Sequence, residues 1–326
     1  MPASDLPRTG RSEPLRIRSV PPPSVRTSFA SHARLRRTSP IAHYAVGAAL
    51  EAIGADTGLL NSNSFQLGIV LCVMSGCVNY SRRFYDETLN NPAMASPVIF
   101  PETVFNSPAS HMAALLGTKA INYTLVGDPG TVLQGLALAA DWLVSGKVDG
   151  CLVVGAEERD WLTGEALCLF DSDAEASDGA GALYLRREPD AKPPVELEAI
   201  TQCHLFTTNQ NRAEAALRAR EELGKNGTSQ LLCDGLQGVP RLDRDEEAAW
   251  KGWAGPRLSV KKILGEGLMA ASAWQCVAAV DAIRQSFSEV TVSVVGCNQQ
   301  AIAARFVRGM SPGNATSKIN KIAREK

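Results

Sequence analysis

Apolar positions along the chain follow two rhythms, and one stretch carries both side by side. Residues 121–126 (INYTLV) form a short β-rich run that ends at Gly127. From there the apolar residues recur at Val132, Leu133, Leu136, Ala139, Ala140 and Leu143, the i, i+3, i+4, i+7 spacing of a helix packed along one side. Asp128 stands where an N-cap would, with Pro129 at the first helical position, where a missing N–H costs nothing. Gly146 closes the helix, and residues 151–154 (CLVV) read as a strand buried on both faces. The stretch predicts strand, tight turn, buried helix, strand.

The alternation runs through the rest of the chain. Ile41, Tyr44, Ala45, Ala48, Ala49, Ala52 and Ile53 mark one face of a helix that ends at Gly54. Pro189 and the KPP at 192–194 mark a seam, after which the pattern restarts. An alternating strand at 195–206 precedes an amphipathic helix at 211–223 and a run ending LLCDGLQG. A helix at 243–255 opens with acidic residues that suit the positive end of its dipole. Residues 257–285 give a strand, a glycine turn and a long buried helix, and 289–308 a pair of strands. Strands and helices alternating in both halves predict an α/β fold.

Composition narrows the function classes. The chain has 326 residues, 45% apolar and 21% charged, enough for one large or two modest domains. Its net charge of -1 gives no reason to expect nucleic acid or an anionic membrane as partner. No apolar run reaches the ~18 residues of a membrane span. Eight scattered cysteines without a CxxC pair predict buried reduced thiols in a cytoplasmic protein. Residues 1–38 are rich in Arg, Ser and Pro and lack the apolar core of a secretory signal. They predict a disordered or loosely docked basic arm, with 15–20 (LRIRSV) as an edge strand, or a stretch upstream of the domain's true start. Residues 311–326 form a basic tail. Asp171, Asp173, Glu175 and Asp178 alternate as in a calcium loop but lack its glycine and terminal glutamate. They predict a solvated acidic loop, so neither metal nor cofactor is expected.

Residues 132–158 (VLQGLALAADWLVSGKVDGCLVVGAEE) resemble the nucleophile-elbow region of the β-ketoacyl synthases, in the thiolase-like superfamily, and 65–76 (FQLGIVLCVMSG) and 177–185 (SDGAGALYL) resemble an earlier and a later strand of that family. Pro92, Ser96, Pro97, Phe100, Asn106 and Gly117 match a second region of that family, which builds the dimer interface and one wall of the acyl cavity. The resemblance implies a thiolase-like αβαβα five-layer sandwich of two related halves, here 39–190 and a shortened 191–310. It also implies a dimer in which strand 121–126 pairs across a two-fold axis. The partner would be a second copy or an active ketosynthase, with acyl carrier protein as a further partner.

The departures from the family fall at its catalytic positions. Aligning VLQGL on the family's G-L-Q-A-L puts Pro129 at the nucleophilic cysteine. Asp234 takes the first histidine, with Gly235 and Glu246 or Glu247 beside it. Glu266 takes the second, while Lys261 and Gly265 are kept. Gly127, Asp128, Thr131, Phe100, Asn106 and His111 fall at elbow and cavity positions, although a lone histidine such as His111 also reads as a packed structural residue. Proline cannot be a nucleophile, and ionised carboxylates accept hydrogen bonds where a developing oxyanion needs donors. The expectation is a catalytically inactive, chain-length-factor-like partner of an active ketosynthase in fatty acid, polyketide or aryl-polyene biosynthesis. The alternative is a thioester-dependent acyltransferase with chemistry relocated to Cys151, Cys233 or His111. A third reading is a binding scaffold with no acyl ligand.

Overall fold

The computed structural model describes residues 3–6, 14–22, 28–61, 64–187, 194–207, 209–224 and 229–309. The seam at Pro189 and the tail at 311–326 lie outside them. Among the described residues one sheet runs β4 (Asn122–Val126), β3 (Leu67–Val73), β5 (Gly150–Glu157), β7 (Gly179–Arg186). The first three strands are parallel and β7 is antiparallel to β5. The other sheet runs β11 (Arg257–Ser259), β10 (Leu231–Asp234), β12 (Glu289–Val295), β13 (Gln300–Arg308), β8 (Val195–Ile200), with β9 (His204–Leu205) also on β13. It repeats the plan: β11, β10 and β12 are parallel, and β13 is antiparallel to β12.

Strand alternation divides β3 between two cores, as a sheet covered on both faces requires. Val70 and Cys72 face inward. They share a core with Leu133 and Leu136 of α4 (Thr131–Val144), Met269 and Cys276 of α9 (Met269–Gln285), and Leu231 and Val292 of the other sheet. Ile69 and Leu71 face outward, onto Ile41 and Ala45 of α1 (Pro40–Ile53) and Met112 of α3 (Ser107–Leu116). On the far side Ala215 and Ala216 of α6 (Asn209–Leu223) and Ala249 of α7 (Pro240–Ala249) pack on Leu232 and Ala301. The order is helix, sheet, helix, sheet, helix, so the expected five-layer sandwich is present. Gly155 permits the close approach at its centre, since a Cβ there would lie 2.3 Å from the Met269 carbonyl oxygen.

Three local expectations are corrected. The acidic loop is not solvated throughout, because part of it fastens the basic arm. LRIR forms a strand, β2 (Leu15–Arg18), but not the edge strand expected, since it lies between β1 (Ala3–Leu6) and β6 (Ala176–Ser177), with Leu15 and Ile17 buried. Glu175 pairs with Arg16 and Arg18, each at 2.7 Å, and Asp178 accepts the Val20 N–H at 2.6 Å. The helix expected to open at Asp243 begins three residues earlier, at Pro240, and buries Asp243, Asp245 and Glu246, leaving Glu247 exposed. Asp243 accepts the N–H groups of Gln237 and Gly238, and Asp245 pairs with Arg212 at 3.4 Å. Among the described residues no helix is long and apolar enough to cross a membrane.

Candidate functional site

The elbow follows β4. Gly127 is needed there for space, because Thr131 Oγ1 would sit 2.5 Å from a Cβ. The helix starts later than its sequence suggests, with Gly130 at the N-cap of α4 and no side-chain cap bond. The Thr131 N–H is taken by the Asp128 carbonyl at 2.8 Å and the Val132 N–H by the Pro129 carbonyl. Asp128 therefore does not cap α4 with its side chain. Its carboxylate points across to the other half, where the N–H groups of Asn298, Gln299 and Gln300 approach it.

Three elements of the second half face the elbow. Asp234, at the end of β10, is fully buried; its Oδ1 accepts the Ser259 hydroxyl at 2.6 Å and the Leu236 N–H. Burial raises its pKa, opposed by those two bonds and by Arg257 and Lys262. Glu246, on α7, accepts the Gly235 N–H at 3.0 Å and the Ser293 hydroxyl at 2.6 Å. Burial, then the charge of Asp234, pushes it up to about 7. Of the two glutamates on α7, Glu246 is the one beside Gly235, while Glu247 is exposed. Glu266 is 6% exposed; it receives Lys261 Nζ, from α8 (Lys261–Leu264), at 2.7 Å and the Leu268 N–H at 2.8 Å. Burial alone would lower the pKa of Lys261, but the charge and hydrogen bond of Glu266 raise it.

Of these groups, Lys261 and Glu266 border a cavity of about 130 Å³. Pro129, Lys261, Glu266, Gly235 and Cys297 line it, and Arg241 and Arg244 stand at its rim. Thus Pro129, Lys261 and Glu266 do converge, with Asp234 behind Gly235. Phe100, Asn106 and His111 do not join them. Phe100 is exposed against Phe84, Asn106 precedes α3, and His111 bonds Glu102 at 2.9 Å. Cys151 and Cys233 are fully buried in strands away from the cavity, and burial pushes both thiols up to about 12. Cys297 and Arg212 were missed in the sequence. Arg212 ties α6 to the Val295 and Gly296 carbonyls, and the run VVGCNQQA was the available signal for Cys297. Burial, then Asp128 and Glu266, raises the Cys297 thiol, with Lys261 opposing.

No protein-family model matches the chain, and no curated protein does. Solved structures match over nearly its whole length. A chain of the complex of the ketosynthase ApeO with its chain length factor ApeC, from Xenorhabdus doucetiae, has a TM-score of 0.73 at 13% identity, covering 95% of this chain and 90% of that one. The ishigamide ketosynthase/chain length factor gives 0.70 at 20% identity over 90% and 87%. A β-ketoacyl synthase from Burkholderia phymatum STM815 gives 0.72 at 16% identity over 90% and 88%.

Proposed function

We propose that this chain, which has the thiolase-like fold of ketosynthases, acts as a non-catalytic, chain-length-factor-like partner of an active ketosynthase in fatty acid, polyketide or aryl-polyene assembly. The observation that carries this reading is Pro129 in the cavity wall, at the position where the resemblance calls for a nucleophile. A pyrrolidine ring cannot accept an acyl group. Opposite it, Glu266 presents a carboxylate where condensation needs a hydrogen-bond donor to the developing oxyanion.

The partner surface is read from β4, the edge strand of its sheet, where Tyr123 and Val126 are exposed. Tyr85 and Leu89 of α2 (Val78–Asn90), with Phe100 and Phe105, add exposed apolar area. An unblocked edge with this apolar area suits a dimer, with a second copy or with an active ketosynthase. Arg241 and Arg244 at the cavity rim suit the anionic arm of an acyl carrier protein. Eight free thiols suit the reducing cytoplasm. Sedimentation alone, and with a ketosynthase encoded beside it, gives a species of dimer mass in at least one case. A stable monomer in both overturns the reading.

A second reading, an acyltransferase with relocated chemistry, is favoured by one observation. Cys297, rather than Cys151 or Cys233, lines the cavity. Its raised pKa disfavours the thiolate that such chemistry needs, which ranks this reading second.

A further inference from the structure

One carboxylate fastens the turn between β12 and β13 to the elbow. Asp128, 2% exposed, accepts the backbone N–H groups of Asn298 at 3.3 Å, Gln299 at 3.3 Å and Gln300 at 3.2 Å. Three successive amides converging on one anion make a concave anion nest. The turn closes on itself through the Gly296 N–H and the Gln300 carbonyl at 2.8 Å. A Cβ at Gly296 would lie 1.5 Å from Asp128 Oδ2, so turn and carboxylate fit with no atom to spare. From the other side Gln300 Nε2 donates to the Asp128 carbonyl and to Thr131 Oγ1, both at 3.2 Å. The chain neighbours of this contact, Pro129 and Cys297, both line the cavity.

We propose that the amides of residues 298–300 form a built site for a small carboxylate, that the chain fills it with its own Asp128, and that this occupant latches the turn onto the elbow and so sets the cavity wall. The latch joins two halves of the molecule through charge-assisted contacts from three backbone amides to one carboxylate. It does not depend on the acyl-related reading, because nothing in it involves a thioester.

The test is hydrogen exchange of the full chain, followed on peptides covering residues 296–302, with sodium formate as the probe carboxylate. Asp128→Ala empties the site, so these amides exchange about tenfold faster or more than in the wild type. Formate then restores their protection saturably in the variant and leaves the wild type, whose site is filled, unchanged. Unchanged exchange in Asp128→Ala, or faster exchange that formate does not slow, overturns the proposal. Asp128→Asn serves if the alanine variant does not fold. It keeps one acceptor oxygen, so exchange accelerates less and formate has no effect. Wild-type exchange rates in Asp128→Asn also overturn the latch.

Discussion

The turn into α4 and the turn into α9 deliver equivalent helices between the same two sheets, yet they are built in opposite ways. In the first, none of residues 127–131 has a positive φ; Pro129 stiffens it, and its charged side chain is satisfied by residues some 170 positions away. In the second, Gly265 has φ 85° and Leu268 φ 49°, a conformation costly for a residue with a Cβ. That turn is held by the buried Lys261–Glu266 pair, by the bond from the Leu268 N–H to Glu266, and by backbone bonds that join Glu266 to Glu175 and Ser177. Strain persists only where the surroundings over-determine it. Both turns carry a buried carboxylate, but backbone strain gathers in the second, while the first, where the resemblance expects a nucleophile, is unstrained.

The comparison breaks most visibly at Lys261. Lys261→Met leaves Glu266 buried without its cation and costs about 3–5 kcal/mol of unfolding free energy. Pro129→Ala, in the relaxed turn, costs under about 1 kcal/mol. Urea titrations of both variants check the contrast, and equal losses would erase it.

A subtler comparison pairs one buried carboxyl from each half. Glu157 accepts the Met74 and Ser75 N–H groups after β3, and Glu246 accepts the Gly235 N–H after β10. Burial first of all pushes each from 4.5 up to about 7. The folded chain therefore keeps protons that the unfolded chain releases, and these groups make stability fall as pH rises through that window. Below the window both states are protonated and the two groups contribute nothing. Glu246→Gln flattens its share, so the variant matches the wild type at the acid end and exceeds it above neutrality by up to roughly 3 kcal/mol. Thermal unfolding across pH reads this, and an unchanged pH profile would remove Glu246 from the account.

The smallest effect sharpens the contrast by its sign. At an ordinary site glycine is less stable than alanine, but at Leu268 the positive φ reverses the order. Leu268→Gly is then more stable than Leu268→Ala by about 1 kcal/mol. At Pro129 the ordinary order holds. Paired denaturation curves of the four variants settle both signs.

Local signals were legible in the sequence and remote ones were not. The continuous apolar run at 151–154 and the helical spacing of α4 are properties of neighbouring residues, and they gave strands and helices; the five layers came from the resemblance. Asp128 was misread as a helix cap because cap chemistry assumes a partner within the same turn. Its actual partners come from residues 298–300. The acidic loop was misread for the same reason, since Arg16 and Arg18 lie some 160 residues from Glu175. The resemblance put Pro129, Asp234 and Glu266, with Lys261, at its catalytic positions; Pro129, Lys261 and Glu266 line one cavity, and Asp234 lies behind Gly235, outside its lining. It also grouped Phe100, Asn106 and His111 with them, on a wall that this cavity does not reach. Cys297 lies in the turn between β12 and β13, where the run VVGCNQQA was its one signal, and the fold brings it to the same cavity as Pro129.

Whether the cavity performs acyl chemistry is read by mass spectrometry of the intact chain. After incubation with acyl and malonyl carrier-protein thioesters, the account predicts an unmodified mass and no release of CO2. A covalent acyl adduct on any cysteine, Cys297 before the others, that disappears when that cysteine is replaced by alanine would contradict it.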